Sequence, residues 1–487
     1  MEGLWRRCEV ENMRPMVSGG RRRKPPMVRL RAVRAYKALG GFGWMFRSER
    51  NMFHHSDTVE QIEDFWSYSR HANWCDITCM LLLHYNGVPA LLAGCVSSGF
   101  MPWLLRSVPL NSLRHCGPAD ESCRSHCEIN IVVSMLIGVL VTAAVAILWP
   151  TWRRVFLDKA CIPQDNDMEK RQGILNLGFF IENSRKMMVL WEPTYFTRLW
   201  CVFELAAYLK LQADGFRSHQ LEVLPVSYAR MTALCLLGDV AYVLLSYWLM
   251  PMFLDTSKLP AALCEHFSLV AMMIVFMFLG VAIDSHVKAI HSMTRQLNEF
   301  SIEDADCFCC SNGHVNPDTK VALDCDRELI QGSVSEWFGE VGAFNDFVRI
   351  ELQKHISLKA NFPYRYALLA FLPHLLYGLA KTGEVYMIGE DNHKAAKQLI
   401  NTLMKVCLLG PAKWSMCFLV FGLQKRKQKA GPSQSPLTIG RIMLLTAGMT
   451  LVRRLWITLA AYPAPYSCLM QLLVYGPFVL KEYWGHF

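Results

Sequence analysis

Long apolar runs without charge are the most prominent pattern along the chain. Asp, Glu, Lys and Arg are absent from 77–105, 129–152, 267–283 and 455–480, and a single acid, Asp239, interrupts 231–254. About 18 apolar residues suffice for a helix to cross the hydrocarbon core of a bilayer. The pattern therefore predicts five transmembrane helices. Three weaker runs are either further spans or buried helices of a soluble domain: 366–380, 406–423 and 437–452.

The pattern changes between the second and third of these runs. Short apolar stretches, "RVFLD", "MMVLW" and "LEVLP", alternate with segments whose apolar residues follow helical spacing. Short apolar stretches bounded by turn residues are typical of buried strands, and strands that alternate with helices favour a parallel sheet covered on both faces. Residues 153–230 are therefore predicted to form an α/β domain, whose ligands should bind at the carboxyl ends of the strands.

One predicted helix of this domain, "TRLWCVFELAAYL" at 197–209, has apolar residues on nearly every side. Thr197 is the candidate N-cap, and such a helix should be buried all round. Glu204 nevertheless lies in its middle. A buried carboxylate costs several kcal/mol unless it is paired, neutralised or used in chemistry. Either a nearby arginine pairs with Glu204, or the acid belongs to a functional site.

Composition and charge indicate how these elements lie relative to a membrane. The 487 residues are 52% hydrophobic and 19% charged, whereas soluble domains contain about 25% charged residues. Residues 1–40 hold eleven Lys and Arg but three acids, with "RRRK" as the densest run. No apolar core of the signal-peptide type follows it, and no aromatic or structured context indicates nucleic-acid binding. The tail is predicted to be disordered and cytosolic, because positive charge marks the cytosolic side.

Alternating crossings from this N-terminus predict an integral, multipass membrane protein. The basic run "QKRKQK" then lies in the cytosol. The loop between the first two spans faces the lumen or the exterior with Cys116, Cys123 and Cys127, where an oxidising compartment would permit a disulfide. The predicted segments are a basic disordered tail at 1–58, the first strand and helix of the α/β domain at 59–76, a transmembrane hairpin at 77–152, the rest of the α/β domain at 153–230, a transmembrane pair at 231–283, a cysteine-containing and amphipathic cytosolic segment at 284–363 and a C-terminal transmembrane region at 364–487.

The α/β segments carry a recognisable motif, which runs through "IEDFWSYSR", "VFLDKACI" and "MMVLWEPTYFTRLWCVFEL". The residues that match it in order and spacing are Ser67, Tyr68, Arg70, Asp158, Ser184, Arg185, Tyr195, Trp200, Cys201 and Glu204. These stretches resemble the Toll/interleukin-1 receptor (TIR) domain, a flavodoxin-like α/β fold with a parallel sheet. The chain as a whole resembles multipass TIR-like proteins of dinoflagellate type.

The resemblance divides the sheet between two parts of the chain, with its first strand before the membrane hairpin and its second strand after it. A membrane hairpin returns the chain to the side from which it left. We therefore expect 65–69 and 155–158 to be neighbouring parallel strands.

The resemblance also implies a chemistry for Glu204. In TIR domains that cleave NAD, a glutamate at this position faces a cleft at the carboxyl edge of the sheet. Its carboxylate holds the hydroxyls of the nicotinamide ribose and stabilises the positive charge that develops as nicotinamide leaves. Arg70, Lys159 and Trp191 are then candidates for the cleft wall or for phosphate contacts. Other TIR domains act as adaptors by self-association, so the resemblance leaves both an enzyme with NAD as substrate and a non-catalytic assembly domain open.

A cysteine-rich stretch, "CFCCSNGHVNPDTKVALDC", follows in the segment 284–363. Thiolates and imidazoles are the ligands that zinc prefers, and the candidates are Cys307, Cys309, Cys310, His314 and Cys325. The alternative is that these juxtamembrane cysteines are free or palmitoylated. The amphipathic pattern at 335–356 predicts a helix that packs on the cytosolic domain or lies on the membrane surface.

Polar residues inside the predicted spans give an alternative function. Asp239, with His374 and Lys413 behind it, could line a pathway for ions or protons. A channel or transporter with a regulatory cytosolic domain therefore competes with TIR-type signalling. The partners that the sequence implies are membrane lipids and further copies of the TIR-like domain, but not nucleic acid.

Overall fold

A computed structural model describes the chain in several stretches: 29–48, 50–107, 121–165, 176–211, 221–245, 288–315, 320–322, 325–353, 372–387 and 392–404, with residues 169, 173, 285, 286, 366, 369 and 406. Contacts divide the chain into two units. The first, which we call the sheet unit, is drawn from Met1–Leu81, Pro150–Ser227 and Ala289–Ala360. The second, which we call the helical unit, is drawn from Leu82–Trp149, Tyr228–Lys288 and Asn361–Phe487.

Six strands among the described residues form one sheet. They are β1 (Arg31–Arg34), β2 (Asp57–Thr58), β3 (Ile62–Tyr68), β4 (Arg154–Phe156), β5 (Ser184–Trp191) and β6 (Leu221–Pro225), in the spatial order β2-β1-β4-β3-β5-β6. The pairs β4–β3, β3–β5 and β5–β6 are parallel, whereas β1 is antiparallel to both β2 and β4. The sheet is therefore mixed, which corrects the expectation of a purely parallel sheet.

The helices of the described residues surround this sheet or belong to the helical unit. Among them are α1 (Ala35–Arg47), α2 (Trp74–Ser107), α3 (Glu121–Leu148), α4 (Asp158–Cys161), α5 (Leu177–Glu182), α6 (Leu199–Leu211), α7 (Ser227–Leu244), α8 (Phe308–Ser311), α9 (Asp326–Phe338), α10 (Val341–Phe347), α11 (Leu372–Met387) and α12 (Asn392–Met404).

The pairing of β3 with β4 confirms the expectation that strands on either side of the hairpin are neighbours. Asp64 lies opposite Val155 and Phe65 opposite Phe156 in a parallel register. The stacked rings of Phe65 and Phe156, with centroids 4.5 Å apart, are buried beside this pairing. The side chains of β3 are buried along nearly the whole strand, as expected for a central strand that is covered on both faces.

The prediction of a disordered tail over 1–58 is wrong for its second half, while 1–28 lie outside the described residues. β1 and β2 extend the sheet beyond β4, and the side chains of Ala32 and Val33 are buried. Arg31 donates hydrogen bonds to the carbonyl oxygens of Phe53 and Ser56 and lies over the Phe53 ring. The positive charge of this segment therefore does not prevent it from folding, because its arginines find local acceptors.

The segment after residue 289 packs onto the sheet unit. Phe203 of α6 stacks on Trp337 of α9 with ring centroids 5.5 Å apart, and Lys210 donates to the Trp337 carbonyl oxygen at 2.6 Å. Trp337, Phe344 and Val348 belong to the same buried core as α6. The amphipathic stretch that begins at residue 335 thus packs on the α/β domain, which was one of its two predicted positions.

Two helices of the described residues are long and apolar enough to cross a membrane, Trp74–Leu105 and Ile129–Leu148. Within the helical unit, Asn86 donates to the carbonyl oxygen of Ala146 at 2.9 Å, and Ser98 donates to that of Leu376 at 2.9 Å. The described parts of two further predicted spans, 231–254 and 366–380, lie mainly in α7 and α11, and neither helix is long and apolar enough to be a candidate span. The predicted spans 267–283, 437–452 and 455–480 and nearly all of 406–423 lie outside the described residues, as do Lys413, Cys116 and the side chains of Cys123 and Cys127.

Candidate functional site

The order of the strands reverses at β3, at the carboxyl edge of the sheet. From β3 the chain moves to β4 on one side, and later to β5 on the other side. At such a reversal of strand order the connections leave in opposite directions, and ligands of open α/β sheets bind there. Ser67 lies near the carboxyl end of β3, Tyr195 in the connection after β5, and Glu204 on α6. The fold thus brings three of the sequence-predicted residues to this point.

These three residues form one hydrogen-bonded chain. The Ser67 hydroxyl donates to Glu204 Oε2 at 2.5 Å, and the hydroxyl oxygens of Ser67 and Tyr195 are 2.6 Å apart. Either hydroxyl can be the donor in the contact between Ser67 and Tyr195, and the Tyr195 hydroxyl also donates to the Cys201 carbonyl oxygen at 3.4 Å. Ser67 and Tyr195 are fully buried, whereas Glu204 is only partly buried. The carboxylate is therefore held at a fixed angle by a buried hydroxyl.

Burial governs the charge of Glu204. Burial is the main reason why the pKa of Glu204 is raised to about 8. The hydrogen bond from Ser67 opposes this shift. The nearby charge of Asp158 raises the pKa further, and that of Arg70 lowers it. No salt bridge to Glu204 occurs among the described residues, so the alternative of a paired arginine is not realised there. At neutral pH the resting side chain is mostly the neutral acid, and an approaching positive charge would favour its ionisation.

A second cluster lies at the carboxyl ends of β3 and β4. Arg70 Nε and Nη2 donate to Asp158 Oδ2 at 2.9 and 2.5 Å, and the Tyr68 hydroxyl donates to Asp158 Oδ1 at 3.0 Å. The Asp158 carboxylate raises the pKa of Arg70, and burial raises that of Tyr68. Asp158 and Arg70 both influence the pKa of Glu204, so the two clusters share one electrostatic environment.

Two residues proposed for the cleft wall have other contacts. The Lys159 ammonium donates to the carbonyl oxygens of Phe46 at 2.8 Å and Ser48 at 3.3 Å. Trp191 is 1% exposed and belongs to the buried core. Its indole nitrogen has no hydrogen-bond partner within the described part of the chain. Arg70, the third residue proposed for the cleft wall, is exposed, and its positive charge lowers the pKa of Glu204.

The other residues of the motif support the fold. Ser184 and Arg185 lie at the amino end of β5. The Ser184 hydroxyl donates to the Phe180 carbonyl oxygen at 2.7 Å, and Arg185 Nε donates to Gln61 Oε1 at 2.7 Å. Trp200 Nε1 donates to Asp326 at 3.2 Å. Burial raises the pKa of the Cys201 thiol, so this buried sulfur stays protonated and is not a nucleophile at neutral pH.

Two features at this edge were not predicted. Ser69 and Thr194, whose hydroxyl oxygens are 2.7 Å apart, connect the ends of β3 and β5, and Thr194 also donates to Glu192. Serine and threonine near a turn carry no distinctive sequence signal. Thr197 does not act as the N-cap of α6, since its hydroxyl donates to the Thr194 carbonyl oxygen at 2.9 Å. The Leu199 amide donates instead to the Asp306 carbonyl oxygen at 3.1 Å.

The predicted cysteine cluster is drawn together elsewhere in the sheet unit. One ligand atom each from Cys309, Cys310, His314 and Cys325 lies within 4.8 Å of the others. Cys307 belongs to a second group, with Cys309 and Asp326.

The helical unit brings together two of the polar residues singled out in its predicted spans. His374 Nδ1 and Asp239 Oδ2 are 2.5 Å apart, and the His374 ring stacks on Tyr242 at a centroid distance of 5.6 Å. An aspartate–histidine pair of this kind can hold or transfer a proton.

Comparisons of the chain with protein-family models, with curated proteins and with solved structures found no match to any of the three.

Proposed function

We propose that the sheet unit is a TIR-like domain carried by a membrane protein, and that the Glu204 site binds NAD and cleaves its bond to nicotinamide. The observation that carries the proposal is the contact between Ser67 and Glu204, which holds the side chain of a half-buried glutamate at the reversal of strand order. A perturbed carboxylate in such a position is the kind of group that functional sites use.

The order of the parallel strands supports a flavodoxin-like arrangement. Counted along the chain from β3, these four strands occur in the order 2-1-3-4 across the sheet. Flavodoxin-like folds use the order 2-1-3-4-5, with their ligand at the boundary between the first and third strands. That boundary corresponds here to β3 and β5, which supply Ser67 and lead to Tyr195.

The chemistry requires little beyond one oriented carboxylate. In NAD the nicotinamide nitrogen is already positively charged, so cleavage of its bond to the ribose sends the bonding electron pair to that nitrogen and neutralises it. Positive charge then develops on the ribose, and water adds there with loss of a proton. Glu204, ionised by the approach of the cationic nicotinamide riboside, stabilises this charge, and the Ser67 hydroxyl holds the carboxylate in place. Arg70 and Asp158 shape the electrostatic surroundings.

Membrane attachment would serve assembly of the domain. Large apolar side chains are exposed along the two long helices, among them Val96 at 72%, Leu140 at 68% and Leu148 at 76%. Such surfaces are typical of contact with lipid or with other helices. Neighbouring copies held in one membrane plane meet at high effective concentration, which favours self-association of the TIR-like domain.

Nicotinamide release by the purified, reconstituted full chain tests the proposal. We expect Glu204→Gln to lower turnover by about 10²–10³, because the amide fills the same space but cannot supply the negative charge. Glu182→Gln is the matched control, since Glu182 is exposed at the opposite edge of the sheet. Equal turnover in both variants would remove Glu204 from the reaction. No turnover by the wild-type protein at any surface density would leave an assembly domain without NAD cleavage.

A second function, proton-coupled transport through the helical unit, is favoured by the contact between Asp239 and His374. Proton flux in liposomes should then fall at least tenfold in Asp239→Asn, because a neutral amide cannot exchange a proton with the imidazole. Flux that is unaffected by this change would remove the transport function.

A further inference from the structure

The cysteine cluster already has the dimensions of a metal site. The sulfur atoms of Cys309 and Cys310 are 4.0 Å apart, and those of Cys310 and Cys325 are 3.9 Å apart. A tetrahedral zinc ion with Zn–S bonds of about 2.3 Å places its sulfur ligands roughly 3.8 Å from one another. The two separations therefore differ from the tetrahedral distance by a few tenths of an ångström.

The local backbone brings the fourth ligand back to the sulfurs. α8 is a single turn that carries Cys309 and Cys310, and Gly313 and His314 follow with positive φ values of 61° and 60°. This reversal lets the His314 amide donate to the Cys309 carbonyl oxygen at 2.8 Å. A non-glycine residue in the left-handed region is strained, and a metal–imidazole bond would offset that strain. Cys325 enters from the residue before α9.

We propose that Cys309, Cys310, His314 and Cys325 bind one zinc ion. Three thiolates and one imidazole form a closed tetrahedral set of the structural type, with no open position for catalysis. Binding displaces the three thiol protons to solvent and leaves a net charge of −1 on the centre. The Asp326 amide, 3.3 Å from Cys309 Sγ, and the Cys307 thiol, 3.0 Å from the same sulfur, are donors that stabilise this charge. Cys307 is thus a supporting donor rather than a ligand.

The zinc site has a structural role next to α6, the helix that carries Glu204. Asp306, just before the cluster, exchanges backbone hydrogen bonds with Thr197 and Leu199 at 2.6 and 3.1 Å. Asp326, just after Cys325, accepts from the Trp200 indole. The metal therefore fastens the segment after residue 300 onto the start of α6. This inference does not depend on NAD cleavage and holds equally for an assembly domain.

Metal analysis of the purified full chain tests the site directly. We expect about one zinc per chain, and X-ray absorption with three sulfur ligands at about 2.3 Å and one nitrogen at about 2.0–2.1 Å. Cobalt exchanged into the wild-type protein should give the intense visible bands of a tetrahedral thiolate site. This measurement needs no variant and is unaffected by any folding defect of one.

Variants identify the ligands. Cys325→Ser should lower zinc affinity at least tenfold, Cys307→Ser should keep three-sulfur coordination, and Cys75→Ser, outside the cluster, should match the wild-type protein.

Chelation of the wild-type protein should increase amide hydrogen exchange in 197–211 more than in β3. Failure of the wild-type protein to bind zinc or cobalt, unchanged zinc affinity in Cys325→Ser, or hydroxylamine-labile acyl groups on these cysteines would overturn the site. Unchanged exchange in 197–211 would overturn its proposed role at α6.

Discussion

At the residue scale, the environment of Glu204 determines what this carboxylate can do. An acid in the middle of an apolar helix suggested either an ion pair or a functional group, and the sequence does not distinguish them. The structure gives Glu204 a hydroxyl partner, Ser67, in place of a cation. Ser67 is 137 residues away in the chain, and helical periodicity carries no information about such a distant contact. The position of the acid was therefore predictable, but the identity of its partner was not.

The raised pKa of Glu204 makes folding stability depend on pH. Between the ordinary value of 4.5 and about 8 the folded state keeps a proton that the unfolded state has lost. The free energy of unfolding contributed by this group therefore falls as pH rises through that window, by up to about 1.4 kcal/mol for each pH unit, less a discount for its partial exposure. It is constant below 4.5 and above 8.

Thermal unfolding of wild-type and Glu204→Gln protein in detergent checks this expectation. The difference in Tm, wild type minus variant, should decrease from pH 5 to pH 8, because glutamine does not titrate. Glu60→Gln, at an exposed carboxylate, should show no such trend. A difference that stays constant or grows with pH would mean that Glu204 is ionised in the folded protein.

At the scale of single elements, the first helix shows where sequence patterns fail. α1 includes three consecutive residues with positive φ, Gly41, Phe42 and Gly43, so its backbone is broken near its middle. The dense positive charge of residues 1–40 indicated a disordered segment. Long-range contacts decide otherwise: Phe42 packs edge-on against Trp74 with ring centroids 6.1 Å apart. α6 was predictable because its own side chains are almost wholly apolar, and β5 because it ends in the apolar run Met187–Trp191. β3 contains Glu63, Asp64 and Ser67 and was predicted from the resemblance of its motif.

Substitution of the glycines in α1 tests whether this segment is part of the fold. Gly43→Ala should lower the free energy of unfolding by roughly 2–4 kcal/mol, because a Cβ there meets a positive φ and overlaps the buried Thr78 side chain. Gly40→Ala is the matched control, since its φ is −55° and a Cβ would meet nothing within 4 Å. Equal unfolding midpoints for the two variants would show that 29–47 does not pack against α2.

At the scale of the whole molecule, one sheet is assembled from chain segments that flank two long apolar helices. β3 precedes Trp74–Leu105 and β4 follows Ile129–Leu148, yet the two strands pair. This pairing requires both segments to lie on the same side of any membrane that the helices cross. The division of the sheet was predictable because a membrane hairpin would return the chain to the side from which it left. The addition of β1 was not predictable, and packing on the α/β domain was one of two positions predicted for the amphipathic stretch that begins at residue 335.

Glycosylation reporters test this sidedness. Acceptor sites inserted after Glu60 and after Asp165, both exposed, should behave alike, and a site inserted between 113 and 118 should behave in the opposite way. With a cytosolic N-terminus, only the last of the three is modified. Modification of one of the first two without the other, or the same outcome at all three, would exclude a membrane hairpin between the strands.

The central claim, that ionised Glu204 promotes cleavage of NAD, is tested most directly by the pH dependence of nicotinamide release. For the wild-type protein, kcat/KM should rise about tenfold per pH unit and level off near the pKa of Glu204, about 8. Glu204→Gln should stay low and flat over the same range. A wild-type rate that is independent of pH between 6 and 8, or that falls as pH rises, would contradict the role assigned to this carboxylate.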